Sequence, residues 1–174
     1  FSSVFRYSFN NIDLGIPGKG IAEQSTSKKA LFPKQAVANH LLSLNSIFFF
    51  KKSKLDLDLG YISNDRREFE KNEVPNLKMK LNTFNYNAKY YLPNWGKIES
   101  IVGIQGMHQT NTNFGEEFLI PNARTNDFGV FGTSNLEWNS NVIQAGLRFD
   151  NRKINSDAKG VFGEEGSFEA IQKS

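Results

Sequence analysis

The sequence predicts an all-β fold, an antiparallel up-and-down meander of about eight strands that forms part of a transmembrane β-barrel. Three observations predict it. Polarity alternates with a period of two on both sides of a Pro/Asn/Gly turn between Phe84 and Gln109, the mark of a β-hairpin. The connections between predicted strands alternate long and short along the chain. No run approaches the ~18 apolar residues of a membrane helix, and a barrel escapes that test because half of each strand faces a polar interior.

The hairpin is the clearest pair. Phe84, Tyr86, Ala88, Tyr90 and Leu92 alternate with Asn85, Asn87, Lys89 and Tyr91, and after the turn Ile98, Ser100, Val102 and Ile104 alternate with Lys97, Glu99, Ile101 and Gln105. Each arm has about the ~9–11 residues that a tilted strand needs to cross a bilayer. Trp95 sits in the turn, where an amphipathic ring suits a membrane interface.

Taken in order, Phe1 to Phe9 reads as a first strand, with Ser3, Phe5, Tyr7 and Phe9 on one side. A polar, Gly- and Pro-containing connection is expected from Asn10 to Asn39. His40 to Phe50 is the second strand and 51–54 a short turn. The third strand sets Leu55, Leu57, Leu59 and Tyr61 against Asp56, Asp58 and Gly60. Asp at alternate positions suits a wetted interior better than a two-sided core. Asn64 to Asn76 reads as a charged loop. In the fourth strand the apolar parity changes near Thr83, from Leu77, Met79 and Leu81 to Phe84, Tyr86 and Ala88. Either a bulge or a projection beyond the membrane would produce this.

Thr110 to Asn126 reads as another long loop. A sixth strand, Asp127 to Trp138, carries Phe128, Val130, Leu136 and Trp138 in one phase. After a tight turn at 139–141, the seventh strand sets Ile143, Ala145, Leu147 and Phe149 outward, with Gln144, Gly146, Arg148 and Asp150 inward. Asn151 to Gly166 is loop-like, and Ser167 to Ser174 reads as the start of an eighth strand. Every short connection falls at one end of the sheet, as do Trp95 and Trp138. Outer-membrane barrels pair short periplasmic turns with long extracellular loops in this way.

Composition narrows the classes without choosing among β-proteins. The 174 residues are 39% hydrophobic and include 16 Phe, which suits strands and interfacial girdles. The formal charge of +3 comes from 21 basic and 18 acidic residues. That mixture, with no basic stripe interleaved with aromatics, argues against a nucleic-acid partner. Cys is absent, so no disulfide framework or Cys-based metal site is expected. No signal peptide is visible, and the chain reads as an internal piece of a longer protein. A passive outer-membrane channel would share the strand pattern. A soluble secreted β-domain that binds glycan or protein through long loops would share the composition.

Several motifs occur in a characteristic order: Gly15-Ile16-Pro17-Gly18, Pro33 to His40, Gly60 to Phe69, Leu81-Asn82-Thr83, Gly103-Ile104-Gln105-Gly106, Asn111 to Gly115, Leu119-Ile120-Pro121 and Gly146 to Arg152. Over nearly the whole chain this string resembles the early barrel portion of TonB-dependent outer-membrane receptors of the kind found in Bacteroidetes. The resemblance implies a large barrel of about 22 strands, plugged by an N-terminal domain. It also implies active transport rather than enzymatic activity. Such receptors bind an iron chelate, haem, a vitamin or a glycan, and energy delivered through TonB releases it inward. The implied partners are outer-membrane lipid, the small-molecule ligand and the TonB complex, the last through a plug that this chain lacks. No cofactor is implied. The sequence departs from a complete receptor in showing no plug, no TonB-contacting segment, about a third of the strands, and no terminal aromatic.

Candidate site residues are few. His40 and His108 are the two histidines. The resemblance puts a His pair where this chain has Asn39-His40, so His40 with Gln35 is a candidate contact to a metal-bearing ligand. The plainer reading of His40 is a polar residue at a strand start, and for His108 an interfacial role. Glu116 and Glu117 are candidate ligand-binding carboxylates in an outer loop, with solvated surface charge as the default for such residues. Arg148, Asp150 and Arg152 share one face at i, i+2 and i+4. They read as a charged patch facing the lumen or, preferably, as a ladder with neighbouring strands, and Arg66 and Glu68 allow the same two readings. No spacing resembles a zinc site, and no acid/base pair or nucleophile motif occurs.

Two further expectations concern the whole sheet. It should be open and curved, with strands in sequential order and two unpaired, aggregation-prone edges. Hydrogen bonds between residues near Val4 and residues near Phe168 would refute that. In the fifth strand Val102 and Ile104 should face outward, and Gly103 and Gln105 inward with Ile101 as the apolar misfit.

Overall fold

A computed structural model describes residues 1–16, 29–115, 120–157 and 171–173. The strands are β1 (Ser2–Gly15), β2 (Lys34–Phe49), β3 (Lys54–Phe69), β4 (Leu77–Tyr91), β5 (Ile98–Asn113), β6 (Ala123–Trp138), β7 (Asn141–Ser156) and the three-residue β8 (Ile171–Lys173). They form one antiparallel sheet in the order of the sequence. Among the described residues each strand touches only its sequence neighbours. The sheet is therefore open: β1 pairs with β2 and β8 with β7. Phe168 lies outside the described residues.

The period of two sorts side chains onto two faces. Following the register, Phe5, Leu44, Leu59, Tyr86, Gly106 and Phe128 share one face. So do Phe48, Leu55, Tyr90, Val102, Gly132 and Leu147. The other face carries rows such as Asn45, Asp58, Asn87, Gln105, Gly129 and Asp150. Val102 and Ile104 lie on the apolar face as expected. Gly103 and Gln105 lie on the polar face, where Ile101 sits between Tyr91 and Thr133.

Little of the apolar face is covered. The buried apolar side chains among the described residues are Ala36, Phe69, Leu77 and Met79. Leu147 is 86% exposed, Phe5 66% and Val102, on a central strand, 45%. A water-soluble sheet would bury these residues against a second layer.

The apolar residues form a band that climbs the register. From Phe9, the last aromatic of the band in β1, the chain of cross-strand partners runs through His40, Ser63, Asn82, Thr110 and Arg124 to Asn155. The band in β7 ends at Phe149, six residues nearer the turn end. At the other edge, partners of Phe48 lead to Leu147, whereas the β7 band continues to Ile143. The offset is about one residue per strand, measured along the register.

Four loop predictions need correction. Residues 10–15 and 34–39 extend β1 and β2, 64–69 extend β3, 110–113 and 123–126 extend β5 and β6, and 151–156 extend β7. All six extensions lie at the same end, beyond the apolar band, where a period of two survives only in β1, with Ile12 and Leu14 set against Asn11 and Asp13. Backbone pairing continues there regardless, with side-chain pairs such as Asn64 Nδ2 to Asn39 Oδ1 at 2.5 Å. The alternation of connection length survives in reduced form: 16–33, 70–76, 114–122 and 157–170 at one end, against 50–53, 92–97 and 139–140 at the other. The parity change in β4 involves no bulge, because its register with β3 and β5 is unbroken. Leu77, Met79 and Leu81 instead lie on the polar face beyond the band.

The short turns have local causes. Phe50 N donates to Ser53 O at 2.9 Å. Trp95 and Ile98 exchange backbone hydrogen bonds of 3.1 Å around Gly96, whose φ of 63° is the left-handed conformation glycine tolerates. Asn139, at φ 54°, serves the two-residue turn between β6 and β7.

Candidate functional site

The polar face of β1 to β7 concentrates the chemistry. Arg6 donates to Asn45 Oδ1 at 2.6 Å, Asn45 Nδ2 to Asp58 Oδ1 at 2.7 Å, and Asn87 Nδ2 to Asp58 Oδ2 at 3.1 Å. Four strands are thereby joined by one side-chain ladder, with the Asp58 carboxylate accepting from both sides. Asn87 lies across from Gln105, Gln105 from Gly129 and Gly129 from Asp150. The row thus continues into a hollow of about 790 Å³, whose polar-face lining includes Asn85, Asn87, Gln105, Asp127, Arg148 and Arg152.

Two ion pairs fill one wall of this hollow. Arg148 donates through Nε and an Nη to the two carboxylate oxygens of Asp150. Arg152 makes the same two-pronged contact across the strands, Nε to Asp127 Oδ1 at 2.8 Å and an Nη to Oδ2 at 2.6 Å. The Arg148–Asp150 pair lies over Gly129, where a Cβ would collide with both side chains. Arg148 also stands over the Phe131 ring, 5.7 Å from its centroid, and that ring covers Gly103. The glycines give flat backbone on which a guanidinium and a ring can lie.

The other predicted residues are placed as follows. Gln35 belongs to β2 rather than to a loop, on the polar face, with Nε2 donating to Glu68 Oε1 at 2.9 Å. Arg66 also donates to that oxygen, at 2.6 Å. His40 lies in β2 as well, but on the opposite face, between Tyr7 and Phe9, with its Nδ1 2.9 Å from Tyr7 Oη. The structure therefore does not bring Gln35 and His40 together, because five residues apart on a strand means opposite faces. His108, on the apolar-face side of β5, contacts Asn126 Oδ1 at 2.6 Å. Glu116 and Glu117 lie outside the described residues. Arg148, Asp150 and Arg152 share the polar face as expected, and Arg152 alone of the three forms its ion pair with the neighbouring strand.

Sequence reasoning missed the partners Arg6, Asn45, Asn87 and Asp127. The alternation of Asp56 and Asp58 marked a wetted face, but which side chains meet Asp58 is fixed by register with other strands. Among the described residues no group of three His, Cys, Asp or Glu side chains is arranged to hold a metal ion. The hollow offers hydrogen-bond donors and acceptors held by neighbours, an arrangement suited to holding a polar surface. Comparison with protein-family models, curated proteins and solved structures finds no match.

Proposed function

We propose that this chain is a segment of the transmembrane barrel of a TonB-dependent outer-membrane receptor, which takes up a small ligand through a plugged barrel in the cell outer membrane. The climbing apolar band carries the membrane part of this reading. A bilayer boundary is planar, so strands that cross it at an angle must carry their apolar residues progressively offset in register. One residue per strand, at ~3.3 Å rise and ~4.8 Å strand separation, corresponds to a tilt of about 30–35°. Transmembrane barrels tilt by ~35–45°. On β6 the apolar face runs from Phe128 to Trp138, about 33 Å along the strand and about 27 Å once tilted, against an apolar band of ~25 Å in such barrels.

The receptor part rests on the ordered motifs. The hydrogen-bonded polar face supports an interior that is lined rather than empty. Outer-membrane fractionation with brominated lipids tests the first part: Trp95 and Trp138 should be quenched most by bromines near the headgroups. Unquenched emission would sink the membrane reading. Uptake assays with an iron chelate, haem, a vitamin and a glycan test the second. Uptake that stops when the proton gradient is dissipated supports the receptor, and uptake that persists identifies a passive channel.

A further inference from the structure

Beyond the band, the outward side of β4 to β7 is basic. Lys80, Arg124 and Lys153 are exposed, and each stands four residues past the last aromatic of the band on its strand, Phe84, Phe128 and Phe149. Because the band is sheared, these three share one height although they occupy three different register rows. That height is about 13 Å along the strand, or roughly 11 Å above the band after tilting. Long basic side chains reach back several ångströms towards the interface, so their charges fall at headgroup level.

None of the three has an ion-pair partner among the described residues. Asp65 lies across from Lys80, but its carboxylate contacts Arg67 Nε at 3.0 Å. Arg124 lines a hollow of about 420 Å³ with Thr110, Thr112, Asn155 and Asp157. Lys153 is two residues along the register from Arg124 on the adjacent strand, with Asn126 and His108 beside it. The Arg124 and Lys153 Cα atoms are then about 8 Å apart, close enough for both cations to reach one phosphate. The opposite face at the same end contrasts with this, since Arg152 is paired with Asp127 and Arg66 with Glu68.

We propose that Lys80, Arg124 and Lys153 form a docking surface for the phosphate headgroup of an anionic lipid in the leaflet at the long-connection end. The apolar face below them takes the acyl chains. This rests on the membrane reading above, and its test separates the two. The intact protein is reconstituted in phosphatidylcholine alone and in phosphatidylcholine mixed with phosphatidylglycerol, then extracted mildly, and the retained lipid is measured by mass spectrometry. The wild type should retain phosphatidylglycerol above its bulk proportion. The triple variant Lys80→Gln, Arg124→Gln, Lys153→Gln should lose that enrichment, by roughly fivefold for each cation removed. Arg124→Lys, which keeps the charge, and Arg152→Gln, on the other face, should preserve it. Wild-type retention at the bulk ratio, or enrichment that survives in a triple variant that still inserts, overturns the lipid site alone. Failure of the wild type to insert into either membrane overturns the membrane reading with it.

Discussion

The two ends of each long strand are built on different principles. In the turn-proximal half one face is a continuous apolar band and the other a hydrogen-bonded polar ladder, so a side chain's environment is decided by parity. In the half near the long connections the face above the band is mainly polar, while the other mixes polar residues with Ile12, Leu14, Val37, Leu77, Met79, Leu81 and Ile154. The buried apolar side chains Leu77, Met79, Phe69 and Ala36 gather there instead. The first half therefore depends on what solvent meets the sheet. The second depends on packing within the chain.

That contrast yields its largest expected effect at Val102. In the intact protein folded into lipid vesicles, Val102→Arg should cost about 2–4 kcal/mol if it lies near the bilayer midplane. Gln105→Arg, three residues on and on the polar face, should cost much less, because water can hydrate the guanidinium there. Equal penalties, or a larger one at Gln105, would break the assignment of faces. Leu77→Ala addresses the other half. Leu77 is 2% exposed, so the change should cost about 2–3 kcal/mol by denaturant titration. The same cost should appear in detergent and in lipid, since the side chain is buried within the chain. Dependence on lipid thickness would show that the boundary between the halves is misplaced.

Legibility followed the same division. Phe84 to Tyr90, Leu55 to Tyr61 and Ile143 to Phe149 announced strands and faces because one side of each had to be apolar. The extensions at 34–39 and 151–156 read as loop because Gln35, Asn39, Asn151 and Arg152 carry no such periodicity, and their strands are held by backbone pairing that composition does not encode. The site was legible only within strands. Arg148, Asp150 and Arg152 could be put on one face by counting. That Arg152 meets Asp127, and that Asp58 meets Asn45 and Asn87, required a register between segments. His40 shows the opposite failure: a polar residue at a strand start was linked to Gln35, yet their odd separation puts them on different faces.

A third test probes the ladder on the polar face. Asp58→Ala removes the acceptor shared by Asn45 and Asn87. Leaving two part-buried amides without it should cost about 1–3 kcal/mol, whereas Asp58→Asn should recover part of the loss by supplying one acceptor oxygen. If both variants were as stable as the parent, water would be replacing the ladder freely.

The smallest effect should be at Arg152. Its guanidinium makes a two-pronged contact with Asp127, yet its side chain is 64% exposed against 22% for Asp127. Exposed pairs are worth ~0–1 kcal/mol, because water solvates both partners when the pair opens. Arg152→Gln should accordingly destabilise the protein less than any of the changes above. The difference from the parent should shrink in high salt, where screening falls to a few ångströms. A double-mutant cycle with Asp127→Asn isolates the pair from any loss of packing by the Arg152 stem. A coupling several times larger and insensitive to salt would mean that water is excluded from this hollow in the assembled protein. The Arg152–Asp127 pair would then belong to a covered interface, and the polar face at this height would not be a wetted wall.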